Sequence, residues 1–219
     1  MMKPNLIAST MTARLLPMAI AGMLALIMAL SFSQAARAGD MTPTMGEDGI
    51  YHYDWYHQSF LELADDLEEA LDEGKVLMIK FDQKGCIYCE KIALEILSEP
   101  AINAYVREHF VVVQLDLYGG REVIDLDGDA RAENEMGRKW GVMFTPTIYF
   151  LGQHAEGGTI PEQANAVMPG AFGKLTFLGF LEWIVAKGYD GDEPFQKYFG
   201  RRMPEIRKTI EEARQQQSS

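Results

Sequence analysis

The sequence predicts an α/β fold in which buried strands alternate with amphipathic helices. Val76 to Phe81 is an apolar run closed by a polar, glycine-containing loop, which is typical of a buried strand. Apolar residues then recur near a period of 3.6 from Ile87 to Leu97, which predicts a helix directly after the loop. A second apolar run over 142–151 predicts another strand, and Thr145-Pro146 lies near its start.

The first 38 residues have the features of a cleavable secretory signal peptide. Lys3 and Arg14 give a basic start, residues 15–32 are apolar, and Ala36-Arg37-Ala38 is a small-x-small cleavage site. The apolar run is also long enough for a retained membrane anchor, which is the alternative. No cysteine directly follows the run, so a lipoprotein signal is excluded. We expect an exported mature chain that starts near Gly39 and has no membrane span after cleavage.

The charge balance excludes two classes of partner. Cleavage after Ala38 would remove three of the 20 basic residues and leave 17 against 32 acidic ones, a net charge of −15 with neutral histidines. Such a chain is not expected to bind nucleic acid through a phosphate-neutralising patch, and it does not favour anionic lipid surfaces. Most of this charge is expected to be solvated surface.

The mature chain of about 180 residues is expected to form one domain with a segment at each end. Residues 39–54 contain Gly, Pro and Met and are predicted to be a flexible arm. The domain is expected over 55–190, and it begins with a predicted helix whose apolar positions follow the i, i+3, i+4 pattern: Phe60, Leu63, Ala64, Leu67 and Leu71. Residues 191–219 are predicted to form a helical tail that either packs on the domain or contacts a partner.

The middle of the chain alternates further helices and strands. The pattern predicts helices over 102–109, 133–140 and 173–187 and a buried strand over 110–117. A polar insertion separates that strand from the next helix, and Asp127-Gly128 predicts a tight turn in it, within a small hairpin. The acids Asp125, Asp127 and Asp129 lack the spacing of an EF-hand loop, so a calcium site is not expected.

The motif Gly85-Cys86-Ile87-Tyr88-Cys89 carries the predicted chemistry. Cys86 would lie at a helix N-terminus, where free N–H groups and the helix dipole stabilise the reactive thiolate. Cys89 would lie one turn further in, where it can resolve a mixed disulfide. A purely structural bridge over three positions would constrain the unfolded chain little. A zinc site needs two more ligands, and none of the histidines has ligand spacing to this pair: His52, His57, His109 and His154. We expect no metal and no cofactor.

A CxxC motif at a strand–helix junction, followed about 60 residues later by Thr-Pro at the start of a strand, resembles the thioredoxin superfamily. The resemblance spans roughly Phe60 to Gly188. It implies a thioredoxin-like fold, a central mixed sheet flanked by helices, here with an insertion before the cis-Pro strand and a C-terminal helical tail. Four segments are similar to the periplasmic thioredoxin-like proteins of bacterial sulfur-oxidation (Sox) clusters: 85–89, 111–123, 125–128 and 139–147.

The resemblance implies a periplasmic thiol–disulfide oxidoreductase that reduces disulfides or sulfur adducts on exported proteins. A membrane electron donor would restore its dithiol. Thr145 and Pro146 lie beside Cys86 in this fold, and a cis bond leaves the Thr145 backbone free to pair with an extended substrate. Tyr88, between the cysteines, is expected to contribute to substrate binding. The alternative for Pro146 is a simple turn former.

Lys80 departs from the family pattern, because many thioredoxins have a buried acid there that accepts the proton of the second cysteine. Asp82, Glu90 or solvent could take that role here, and Lys80 itself could point outward or snorkel. These departures leave the redox direction open. A disulfide oxidase or isomerase is the first alternative function, and a non-catalytic binding module with the same fold is the second.

Overall fold

A computed structural model describes residues 41–155 and 157–218. The predicted signal peptide, 1–38, lies outside the described residues. Within the described part of the chain, no helix has both the length and the apolar character needed to cross a membrane.

The described residues form eight strands and seven α-helices. In chain order the strands are β1 (Thr44–Met45), β2 (Tyr51–His52), β3 (Val76–Asp82), β4 (Phe110–Asp116), β5 (Glu122–Ile124), β6 (Ala130–Ala132), β7 (Thr147–Leu151) and β8 (Ala166–Pro169). The helices are α1 (Leu63–Asp72), α2 (Ile87–Lys91), α3 (Pro100–His109), α4 (Glu133–Lys139), α5 (Ile160–Gln163), α6 (Lys174–Val185) and α7 (Phe195–Gln217). A π-helical turn (Ile92–Ile96) continues α2, and a 3₁₀ turn (Gly188–Asp190) follows α6.

A four-stranded mixed sheet in the order β4-β3-β7-β8 forms the centre of the domain. β3 pairs in parallel with β4 and antiparallel with β7, and β7 pairs antiparallel with β8. Every residue of β3 is buried, as expected for a central strand covered on both faces. The sheet therefore places the end of β3, and the CxxC loop that follows it, at the middle of one sheet edge.

Alternating residues of the sheet point to its two faces and contribute to two separate apolar layers. Met78 and Phe150 pack with α3, α6 and the buried side of α7, whereas Leu77, Ile79 and Phe81 pack with α1 and α4. This is the two-sided core that a central sheet between helices requires. The predicted α/β class, the mixed sheet and the C-terminal helix are confirmed, and the predicted hairpin at Asp127-Gly128 is formed by β5 and β6.

The start of the domain differs from the sequence prediction. The predicted helix from Trp55 begins only at Leu63, and Phe60, expected to be buried, is 95 % exposed. Leu61 has a φ of 64° and is buried in its place. Phe60 therefore lies outside the helix despite its helical spacing, because the left-handed backbone at Leu61 interrupts the helical pattern before the first turn.

The predicted arm over 39–54 also needs correction where it is described. Residues 41–54 carry the β1–β2 hairpin, and Ile50 and Tyr53 are buried against the domain. The Tyr53 hydroxyl donates a 2.8 Å hydrogen bond to the Ala93 carbonyl in the π-helical turn. These contacts, made across about 40 positions of sequence, could not be seen in a segment whose composition is that of a loop.

The C-terminal tail packs on the domain as one long helix. Ile206 and Ile210 of α7 are buried against the rest of the chain. Gly179 of α6 permits the close approach, since a Cβ built there would lie 2.7 Å from the Phe199 ring. Buried Glu99 accepts hydrogen bonds from Arg214 of α7 at 2.6 Å and from Lys174 of α6 at 2.7 Å.

Replacing Glu99 with glutamine should weaken the packing of the C-terminal helix α7 on the domain and lower the stability of the protein. Burial raises the pKa of this carboxyl, but the hydrogen bonds from Arg214 and Lys174 outweigh burial and hold the pKa below its usual value. A lowered pKa in the folded state stabilises the protein at neutral pH, and this contribution is lost as the pH falls through that lowered value. We expect Glu99→Gln to reduce the free energy of unfolding by about 2 kcal/mol at pH 7. In urea titrations the difference should shrink below about pH 4, and exposed Glu95→Gln is the matched control.

Candidate active site

The two cysteines lie where β3 leads into α2. Gly85 has a φ of 72°, a conformation that glycine adopts without strain, and it turns the chain into the helix. Cys86 is the N-cap residue of α2, and its Sγ accepts a 3.1 Å hydrogen bond from the Cys89 backbone N–H. The two cysteines form a disulfide, with their Cα atoms 5.2 Å apart. When the pair is reduced, the same N–H would stabilise negative charge on Cys86.

The Thr145–Pro146 segment faces this disulfide. The peptide bond between the two residues is cis, as the sequence analysis predicted. The Thr145 carbonyl oxygen lies 3.5 Å from Cys86 Sγ, so a Cys86 thiol would have an acceptor at that position. The Thr147 hydroxyl donates a 2.8 Å hydrogen bond to the Phe144 carbonyl, which holds the backbone on the two sides of the cis bond together. β7 begins only at Thr147, later than predicted, because a proline cannot donate to the ladder.

Four exposed apolar side chains lie within or directly before the two motifs of the site. Ile87 and Tyr88 of the CxxC motif are 70 % and 56 % exposed, and Met143 and Phe144 before the cis bond are 86 % and 53 % exposed. We call these four residues the apolar rim. Tyr88 is the one member of the rim that the sequence predicts to contribute to substrate binding, and its role stays a prediction. Ile87 entered the sequence analysis only as part of the helical period, and Met143 and Phe144 were not predicted as site residues. The sequence signal that could have identified these residues as part of the site is that they lie within the CxxC motif or directly before Thr145-Pro146.

A buried polar cluster lies below the motif. The ammonium of Lys80 forms an ion pair with Asp82 Oδ2, and the amide of Gln114 donates to the same oxygen. Both charged side chains are only 1 % exposed, so the alternative in which Lys80 points outward or snorkels is wrong. The partners come from the same strand and from β4, which pairs Lys80 with Gln114 in register.

The β1–β2 hairpin covers this cluster. Asp82, Cys89 and half-buried Glu90 line one narrow cavity whose far wall is formed by the hairpin residues Gly49, Ile50 and Tyr51. Gln114 also donates a 3.0 Å hydrogen bond to the Tyr51 carbonyl. Asp82 and Cys89 therefore line the same small cavity.

A larger cavity of about 420 Å³ lies on the other side of Gln114. Buried Tyr56 and half-buried Gln114 line it together with the exposed residues Asp48, Asp54 and Arg121. Burial raises the pKa of the Tyr56 phenol well above its usual value, and the nearby Asp82 raises it further. Tyr56 therefore stays protonated at physiological pH.

Three aspartates of the polar insertion form ion pairs with the ammonium group of Lys139. Lys139 Nζ lies 3.0 Å from Asp125, 2.8 Å from Asp127 and 3.1 Å from Asp129. Trp140 Nε1 donates to Asp125 at 2.7 Å, which fixes the hairpin against the end of α4. Within the described residues, no group of three or more potential ligands could hold a metal ion.

A CxxC disulfide lies at a helix N-terminus, next to a cis X-Pro bond, at the ends of neighbouring strands of a central mixed sheet. This arrangement defines a thioredoxin-fold dithiol–disulfide site. Residues 63–170 match the family model of the thioredoxin-like domain. Residues 63–170 therefore form a domain of the thioredoxin superfamily, with a thioredoxin-like fold and a CxxC cysteine pair of the type found in thiol–disulfide oxidoreductases.

Three solved structures illustrate the likeness in fold. A thioredoxin-fold protein from Helicobacter pylori is 19 % identical, with 65 % of this chain and 86 % of that chain covered and a TM-score of 0.46. A thioredoxin from Thermus thermophilus is 23 % identical over 58 % of this chain and 86 % of its own, with a TM-score of 0.45. The periplasmic thioredoxin SoxS from Paracoccus pantotrophus is 18 % identical over 52 % of this chain and 99 % of its own, with a TM-score of 0.35. No curated protein matches the sequence.

Proposed function

We propose that the protein is a periplasmic thiol–disulfide oxidoreductase that reduces disulfides or sulfur adducts on exported proteins. The observation that carries the proposal is the position of Cys86 Sγ, which accepts the Cys89 N–H at 3.1 Å and faces the Thr145 carbonyl at 3.5 Å. The Cys89 N–H stabilises a thiolate at this sulfur, and the neighbouring Thr145 backbone offers a partner segment a place to pair beside it.

The reaction has two steps. The Cys86 thiolate attacks a partner disulfide, forms a mixed disulfide and releases one partner thiolate. Cys89 then loses its proton and attacks Cys86 Sγ, which releases the second partner thiolate and closes the Cys86–Cys89 disulfide. Two electrons pass from the dithiol to the partner, and an external reductant must restore the dithiol. We assign that reductant to a membrane electron donor.

Partner binding combines backbone and apolar contacts. The Thr145 backbone would pair with an extended partner segment, as in β-augmentation, while buried Pro146 keeps this segment beside Cys86. The apolar rim, with Tyr88 as its aromatic member, would bind apolar residues that flank the partner cysteine. No cofactor enters either step, and the acidic chain disfavours nucleic acid as a partner.

Two parts of the proposal, the periplasmic location and the sulfur-oxidation pathway, are supported by sequence features alone. The signal-peptide features of residues 1–38 support export, and the segments similar to Sox-cluster proteins support a sulfur-carrier or cytochrome-maturation partner. Export would place the disulfide in a compartment where disulfides persist.

The equilibrium redox potential of the Cys86–Cys89 pair against glutathione tests the direction of electron flow. A value near that of thioredoxin, about −270 mV, supports the reductase, and a value near that of strong oxidants, about −120 mV, favours the oxidase alternative. A pair that fails to exchange with glutathione over the accessible range would instead favour a binding module.

Replacement of Cys89 with serine should trap partners. Without the resolving thiol, mixed disulfides through Cys86 accumulate, and they can be purified from periplasmic extracts and released with dithiothreitol. We expect most of the Cys89→Ser protein to be recovered as covalent adducts, with almost none from a Cys86→Ser, Cys89→Ser control. Captured sulfur-carrier or cytochrome-maturation proteins would support the Sox assignment. Recovery only of unrelated exported proteins would contradict it and indicate a general folding role.

A further inference from the structure

The active-site helix departs from regular α-helical geometry soon after the CxxC motif. The π-helical turn Ile92–Ile96 continues α2 and begins three positions after Cys89. The Leu97 N–H donates a 2.8 Å hydrogen bond to the Ile92 carbonyl, five residues back, whereas in an α-helix it would donate to Ala93. π turns are rare and occur frequently at functional sites, so the extra residue in this turn calls for a cause.

The side chain of Tyr53 supplies the hydrogen bond that the π turn takes from Ala93. Ala93 is 1 % exposed, so solvent does not replace the Leu97 donor. Tyr53 Oη donates to the Ala93 carbonyl at 2.8 Å, and the Met41 carbonyl is a more distant acceptor at 3.4 Å. The tyrosine ring is 2 % exposed, and its centroid lies 4.9 Å from that of the Trp55 ring. A rigidly packed hydroxyl thus satisfies the buried carbonyl that the π register leaves free.

The far end of the turn is anchored to the body of the domain. Asn103 Nδ2 donates to the Leu97 carbonyl at 2.9 Å. Glu99, two residues later, accepts hydrogen bonds from Lys174 of α6 at 2.7 Å and from Arg214 of α7 at 2.6 Å. A change of register in the turn must therefore be taken up at its other end, by α2. Because successive α-helical residues lie about 100° apart around the helix axis, removing the extra residue would rotate α2 about its own axis.

Such a rotation would affect the two contacts of Cys86 differently. The hydrogen bond from the Cys89 N–H to Cys86 Sγ lies within the first turn of α2 and would move with it. The Thr145 carbonyl, 3.5 Å from the same sulfur, lies outside the helix and would stay in place. The register of the turn therefore sets where Cys86 lies relative to the partner-binding segment, while the donor that stabilises its thiolate is retained.

We propose that Tyr53 is a positioning residue for partner reduction, because its hydroxyl holds the π register and thereby directs Cys86 towards Thr145. This role rests on the proposed function, since it concerns a partner that pairs with the Thr145 backbone. In Tyr53→Phe the buried Ala93 carbonyl loses its donor, and the return of the turn to the α register would restore one. The segment before α1 thus acts on the active site through one hydrogen bond.

Two reagents separate positioning from thiol reactivity. Iodoacetamide alkylates reduced Cys86 without pairing with the backbone, whereas an insulin disulfide approaches it along Thr145. In Tyr53→Phe we expect the alkylation rate and its pH profile between pH 4 and 9 to stay within about twofold of the wild type. The second-order rate of insulin reduction should fall about tenfold or more, because the sulfur and the bound disulfide are no longer aligned. A crystal structure of the variant should show the Leu97 N–H bonded to Ala93.

Two other hydroxyl deletions are the matched controls. Tyr56→Phe removes the hydroxyl of a neighbouring buried tyrosine, which has no hydrogen-bond partner within the described part of the chain. Ser98→Ala removes a 2.6 Å hydrogen bond to the Leu94 carbonyl of the same turn, at an exposed position where solvent can replace it. Both variants should react at wild-type rates with both reagents.

Wild-type insulin kinetics in Tyr53→Phe would overturn the positioning role, and so would an equal loss with iodoacetamide, which would indicate general damage to the site. A crystal structure of the variant that keeps the Leu97–Ile92 hydrogen bond would overturn it as well. A wild-type protein that does not reduce insulin would overturn the reductase function and with it the role of Tyr53 in partner reduction. The structure of Tyr53→Phe would show separately whether the hydroxyl holds the π turn.

Discussion

Replacing Cys86 with serine should abolish disulfide reduction. In an insulin-reduction assay with dithiothreitol, we expect the variant to fall to the uncatalysed rate, a loss on the order of 10³-fold or more. The serine hydroxyl can still accept the Cys89 N–H, but it is not ionised at neutral pH and does not attack sulfur. The fold should be unaffected, because serine is also a favourable N-cap residue at this position and the bridge spans only three positions of the chain.

Cys89→Ser is the matched comparison for this variant. It keeps the Cys86 nucleophile, so it should react once with a small disulfide reagent and then stop, whereas Cys86→Ser should not form the expected adduct at all. Circular dichroism spectra of both variants should match the wild type. Full insulin reduction by Cys86→Ser would show that the nucleophile has been misassigned and would undermine the proposed function.

The chemistry of the site was accessible from the sequence because it is local. Cys86 and Cys89 follow an apolar strand, and the turn at Gly85 and the helix period after it are encoded within about 20 residues. Thr145-Pro146 is equally visible, since proline at the start of an apolar run conflicts with a regular ladder. Local patterns of this kind also predicted the mixed α/β architecture and the β5–β6 hairpin.

The buried cluster was not accessible, because its partners are distant in sequence. Lys80 in an apolar strand permits an outward, snorkelled or buried position, and only the pairing with β4 brings Gln114 to the Lys80–Asp82 ion pair. For the same reason, the composition of residues 39–54 predicts a flexible arm, whereas the described part of this segment forms the hairpin that covers the cluster. Its anchors, such as the Tyr53 hydroxyl on Ala93, are tertiary contacts that composition does not report.

The structural role of Asp125 could not be predicted from the sequence. In the sequence, Asp125 belongs to a segment similar to Sox-cluster proteins and to a run of acids without the spacing of a calcium loop, and neither pattern predicts a structural role. In the folded protein its side chain is 0 % exposed and accepts hydrogen bonds from Trp140 Nε1 at 2.7 Å and from the Ile160 backbone N–H at 3.0 Å, besides contacting Lys139. The carboxylate thus joins the β5–β6 hairpin, the end of α4 and the start of α5.

Asp125→Ala should produce the largest loss of stability among the variants considered. The change leaves the Trp140 and Ile160 donors buried without an acceptor and removes the only deeply buried carboxylate among the three that contact Lys139. We expect the free energy of unfolding to fall by about 3–5 kcal/mol, which lowers Tm by roughly 10 °C in a chain of this size. Differential scanning calorimetry and urea titration of the mature protein measure both quantities.

The neighbouring acids provide the control for that prediction. Asp129→Ala removes a Lys139 contact of similar length from a side chain that is 36 % exposed, so it should change Tm far less. Because Asp125 anchors the end of α4 shortly before the Thr145–Pro146 segment, its loss should also slow mixed-disulfide formation at Cys86, while Asp129→Ala should not. Equal Tm values for the two variants would show that the Lys139 ion pairs, and not the buried hydrogen bonds of Asp125, hold the insertion in place.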